Sequence, residues 1–178
     1  MYSVGLDKSN GYLSGDHVIT ADGGKGEFFE DHKATHHALA NLGNTLMALN
    51  SKRVYHSDDL MPFGIQGPIY QSMADSIADS DILAGSLPCR TSVGELCDDY
   101  GNRYLFILNR DFYRDLSAEL TLKGSYNLYE VSAADGKQHL LQAGADKVSV
   151  SLIPGDAILL RVQSAEEEPF LVDYELAE

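Results

Sequence analysis

Tryptophan is missing from this chain, and cysteine occurs only twice, at Cys89 and Cys97. Two thiols cannot build a disulfide framework. They could bridge across a hairpin turning near Ser92–Gly94; free buried thiols are the favoured reading, and the redox compartment stays open. Positive charge is also scarce, with 13 Lys and Arg against 27 Asp and Glu and a net charge of −14. That balance argues against sequence-independent binding of nucleic acid, which needs clustered cations to neutralise phosphates. It equally disfavours an anionic membrane surface. A solvated acidic exterior is the expected consequence. No apolar run approaches the roughly 20 residues that span a bilayer. Met1–Lys8 lacks the basic and apolar regions of a signal peptide, so the cytoplasm is the favoured location unless a longer parent chain carries a leader.

What is present suffices for a core: 44% of the 178 residues are hydrophobic, within the globular range and enough for one domain or two small ones. The second half holds a two-residue rhythm. Tyr104–Leu108, Ala118–Leu122, Tyr126–Val131, Val148–Leu152 and Ala157–Val162 read as short strands. Asp99–Asn102, Lys123–Ser125, Asp135–Gly136, Ala143–Asp146 and Pro154–Asp156 carry the Gly, Asp and Pro chemistry of turns between them. Further strands are expected near Ile82 and at Thr91–Cys97. Phe170–Leu176 is expected as a last edge strand after the acidic break Glu166–Pro169. The predicted fold is mainly β, an antiparallel β-sandwich preceded by an N-terminal loop and amphipathic helix segment.

The first half reads differently. His17–Thr20 is a short apolar patch, and Asp22–Gly26 is a flexible approach to a helix. Phe28, His32, Thr35, Leu39, Leu42, Leu46 and Leu49 recur at steps of four and three, forming one seam. Gly43-Asn44 is expected to kink or split this helix, and Ser51–His56 to leave it in extended form. The organisation is therefore 1–57 as a loop and helix segment, 58–81 as a linker containing Pro62, Gly64, Gly67 and Pro68, and 82–178 as the sandwich with a short acidic tail.

Each candidate for chemistry has a plainer explanation. His32 and His36 have the four-residue spacing at which two imidazoles share a metal. The intervening residues lack the Glu of a metalloprotease helix, and His32 lies on the apolar seam, where a hydrogen-bonded core histidine is ordinary. Asp98-Asp-Tyr-Gly-Asn102 is better explained as a hairpin turn than as a calcium loop, because the later ligands are missing. Glu95, Glu119 and Glu130 alternate with apolar residues, so solvent-facing positions on strands account for them. No cofactor or metal site is expected. Among the aromatics, Tyr100, Tyr113 and Tyr126 are the candidates for stacking on a sugar. Alternation places Tyr104 and Phe106 on one strand face and Leu105 and Ile107 on the other, so several aromatics should be core.

Two stretches carry a family likeness. His17–Gly26, Leu39–Leu49 and Ser51–His56 resemble the closing segment of bacterial (β/α)₈-barrel glycoside hydrolases of the β-galactosidase-like type. Val93–Asp111, with Tyr129–Val131 and Pro154–Arg161, looks like the C-terminal sandwich that follows such barrels. The resemblance implies a glycosidase context but no glycosidase reaction here. The two family glutamates sit at the ends of the fourth and seventh barrel strands, and this sequence reads as beginning after both. The chain is therefore expected to be a non-catalytic structural domain with a barrel as its partner. The alternatives are a carbohydrate-binding module and an independent interaction protein. With that barrel absent, Phe28, Leu39, Leu42, Leu46 and Leu49 must either fold back onto the sandwich or meet in self-association of two chains.

Overall fold

The computed structural model describes residues 18–20, 23–57 and 76–174. Most of the expected linker, 58–75, and the end of the expected edge strand, 175–176, lie outside these ranges. The expected mainly-β, antiparallel fold with a loop and helix ahead of it is the fold the chain adopts.

Helix α1 (Phe29–Met47) leads into β1 (Asn50–His56). Glu30 and Asp31 occupy its first turn, where the helix dipole favours negative charge. The helix runs through Gly43-Asn44 unbroken, contrary to the expected split. A mid-helix glycine costs only about 1 kcal/mol, and an unbroken helix keeps buried Thr45 and half-buried Leu42 and Leu46 on one stripe.

After a single 3-10 turn at Ile77–Asp79 come β2 (Leu83–Ala84), β3 (Thr91–Cys97), β4 (Arg103–Asn109), β5 (Leu116–Val131), β6 (Gln138–Leu152) and β7 (Ala157–Ser164). They form a seven-stranded antiparallel sheet in the order β1-β3-β4-β7-β5-β2, with β6 on β5. The β3–β4 hairpin turns at Asp98–Asn102 as expected, with Gly101 in the left-handed region at φ 89°.

Lys123–Ser125 and Ala143–Asp146 are not turns. Both lie inside the long strands β5 and β6, whose register shifts between Thr121 and Tyr129. Their glycines permit a bend and bulge instead of a reversal; Gly144 sits at φ 62° and donates its N–H to Asn127 Oδ1 at 3.1 Å. The bend curls the sheet. Tyr126–Glu130 of β5 pairs with β7, whereas Leu122 and Thr121 pair with β2. The far ends of β5 and β6 thereby cross over the sheet and close the sandwich. Ala118, Leu120, Val148 and Val150 meet Val93, Leu105, Ile107, Leu128 and Leu160 in the main core.

The opposite face of the same sheet is covered too. Tyr104, Val131 and Leu159 form a second cluster with Leu42, Leu46 and Leu49 of α1 and Tyr174 of the tail. Phe170–Tyr174 is not a strand, because side chains take up its backbone groups. Arg161 donates to the Phe170 carbonyl, the Val172 N–H reaches Gln138 Oε1 at 3.3 Å, and Gln163 Nε2 reaches the Glu168 carbonyl at 2.7 Å.

Candidate functional site

A concavity lies alongside the first half of α1. Val18–Thr20 and Gly23–Gly26, joined by the bridge between Ile19 and Lys25, lie alongside the first half of the helix. Lys25 stacks over the Phe29 ring at 4.5 Å and pairs with Glu30 at 2.6 Å, tying this arm to the helix. Between arm and helix runs an open groove of about 580 Å³, with Val18, Ile19 and Phe29 as apolar walls and His32, His36 and His37 as polar ones.

Here the seam read from the sequence divides. Leu42, Leu46 and Leu49 pack on the sheet, but Phe28 is 38% and Leu39 53% exposed. His32 is exposed as well, so it is not a core histidine. Its ring centroid stands 6.3 Å from that of His36. Among the described residues no group of three His, Cys, Asp or Glu side chains converges on a common metal position. Cys89 and Cys97 are both free, and Cys89 is exposed rather than buried.

The aromatic candidates do not converge. Tyr100 and Tyr113 are 87% and 72% exposed, but they flank opposite ends of β4. Seven residues of strand, roughly 23 Å, separate those ends. Tyr126 lies in the main core with Arg103 over its ring, so its face is not open for stacking.

The glutamates divide in the same manner. Glu119 is exposed and pairs with Lys147 at 2.7 Å. Glu95, expected to face solvent, is buried. It shares its strand face with Val93, and its carboxylate accepts the Tyr55 hydroxyl at 3.0 Å and the Ser80 hydroxyl. Burial, reinforced by this carboxylate, pushes the Tyr55 phenol up to about 12, so it remains a donor. Two hydroxyls and a carboxylate buried in the core form a hydrogen-bonded network.

A second polar network pins the tail. Tyr174 donates to Asp98 Oδ2 at 2.5 Å and lies 2.8 Å from the Tyr104 hydroxyl. Buried Arg161 is sandwiched between the rings of Tyr129 at 4.3 Å and Phe170 at 4.7 Å and donates to Gln138 Oε1 at 2.7 Å. Burial pushes the Asp98 carboxyl up, but hydrogen bonds from Asn102, Tyr174 and the turn backbone outweigh it and hold the group below its ordinary value. The sequence signal for this network was a lone Arg within the apolar run Ala157–Val162. Nothing in the sequence indicated Gln138, Tyr174 or Asp98 as its partners. No family model, curated protein or solved structure matches this chain.

Proposed function

We propose that this chain is a non-catalytic support module, the C-terminal portion of a β-galactosidase-like (β/α)₈-barrel glycoside hydrolase. The observation that supports this reading is the divided seam of α1. Its second half is committed to the sandwich, while its first half carries Phe28, Leu39 and an apolar-walled groove away from it. A helix shared between two bodies in this way couples them rigidly: one end is fixed in the sandwich, and the other offers its stripe to barrel elements. The role needs no catalytic pair. Of the three glutamates weighed for one, two are engaged: Glu95 in the core and Glu119 with Lys147.

Two alternatives are weaker. A carbohydrate-binding module would need a shared aromatic platform, which Tyr100, Tyr113 and Tyr126 do not provide. An independent interaction protein would use the same helix stripe with an unrelated partner or a second copy of the chain. Sedimentation of this chain with a β-galactosidase-like barrel that lacks its own sandwich tests the proposal. A one-to-one complex that Leu39→Glu abolishes is expected. Separate sedimentation of barrel and chain at tens of micromolar would overturn the reading.

A further inference from the structure

We propose that His32 and His36 form a two-histidine chelate for a late first-row divalent cation on the uncovered face of α1. The inference does not rest on the support role, although both would use the same half of α1. Imidazoles four residues apart on a helix project from successive turns on the same side. These two line one groove, and their centroids are 6.3 Å apart. A shared metal with metal–nitrogen bonds of about 2.0 Å needs donor nitrogens roughly 3 Å apart. Both side chains are exposed, and rotation about their side-chain torsions changes the separation of their ring nitrogens.

His32 is exposed, so it is not a buried, hydrogen-bonded core histidine. His37 lines the groove as well. It follows His36 directly and so points about a quarter-turn away, which excludes it from the same coordination plane. Lys33 shares the groove and opposes a cation. The acidic balance of the chain, −14 overall, works in the other direction. Two protein ligands leave the remaining coordination positions to water, so the site is open and exchangeable. Imidazole donors rank nickel above zinc in affinity. A bound ion would staple one turn of the half-helix that the sandwich leaves without cover.

Calorimetric titration of the intact, metal-free chain with nickel chloride and with zinc chloride tests this. One ion per chain is expected, with nickel tighter than zinc. His32→Ala and His36→Ala should each weaken nickel at least tenfold, while His37→Ala should bind as the parent does. Circular dichroism of each variant checks that the fold is retained. Absence of saturable nickel binding up to millimolar concentration would overturn the inference. So would affinity that survives His32→Ala and His36→Ala, or an equal loss in His37→Ala.

Discussion

Gly136 sits directly beneath Asn41: a Cβ added to the glycine would stand 2.3 Å from the Asn41 carbonyl oxygen. The Asn41 side chain completes the contact by donating to the carbonyls of Ala133 and Ala134 at 2.9 and 2.8 Å. Helix α1 is thereby clamped to the turn between β5 and β6, across more than ninety residues of sequence. Gly136 is also at φ 73°, where an L side chain is strained.

Gly136→Val should therefore destabilise the fold by about 2 kcal/mol or more, through strain and collision together. Asn41→Ala should cost about 0.5–1.5 kcal/mol, because water can reach the two exposed carbonyls that lose their donor. Because the two residues share one contact, the double variant should lose less than the sum. Urea denaturation measures all three. A Gly136→Val variant within about 0.5 kcal/mol of the parent would contradict the clamp.

The divided seam predicts opposite responses to the same substitution. Leu46→Glu places a charge among Tyr104, Val131 and Leu159 and should cost at least about 2 kcal/mol. Leu39→Glu, on the exposed half, should change stability by less than about 0.5 kcal/mol. Hydrogen exchange should agree, with amides of the last two turns of α1 outlasting those between Lys33 and Leu39. Uniform protection along the helix would count against the division.

Acid should weaken the fold in two windows. Burial, with the Arg110 guanidinium adding to it, depresses the pKa of His56, whose Nδ1 lies 2.7 Å from Ser92 Oγ. Between its folded value and about 6.5 the unfolded chain binds the extra proton. This contribution is complete above about 6.5 and is lost as pH falls toward the folded value. Asp98 is depressed as well, so its contribution is complete above about 3.9 and is lost as pH falls through its folded value. Melting temperature should fall from pH 7 to 5 and again below pH 4, and His56→Gln should flatten the first slope alone. A slope between pH 7 and 5 unchanged by His56→Gln would remove His56 as its source.

Arg161 holds the tail by stacking and by hydrogen bonds to Gln138 and Phe170. Arg161→Ala should release Glu168–Tyr174 and cost about 2–4 kcal/mol, since cation–π contacts and charged hydrogen bonds are lost together. Limited proteolysis would show this as early cleavage near Phe170 in the variant and late cleavage in the parent. Equal cleavage rates would mean that the tail is held by other contacts.

The local rules were legible where one principle acted alone. Strand alternation gave β4 and β7, and Asp135–Gly136 was readable as a turn. Gly124 and Gly144 misled because turn chemistry and bend chemistry use the same residues, and only the pairing partner decides between them. Glu95 was assigned to the wrong face because an alternating strand offers two faces, and a carboxylate is ordinarily placed on the wet one. Nothing local says that Tyr55 and Ser80 wait inside to satisfy it. Of the helix seam only Leu42, Leu46 and Leu49 pack on the sheet, because periodicity cannot say where along a helix its cover ends.

The most direct test of the support role measures glycoside hydrolysis by three samples: this chain alone, a β-galactosidase-like barrel without its sandwich, and the two mixed. The account predicts no turnover of any chromogenic glycoside by the chain alone, because general acid and nucleophile must be held as a pair. It also predicts that adding the chain lengthens the thermal half-life of the barrel's activity, and that Leu39→Glu cancels the gain. Turnover by the chain alone that disappears on mutating one of its glutamates would contradict the account. A barrel whose half-life is unchanged by the chain would contradict it equally.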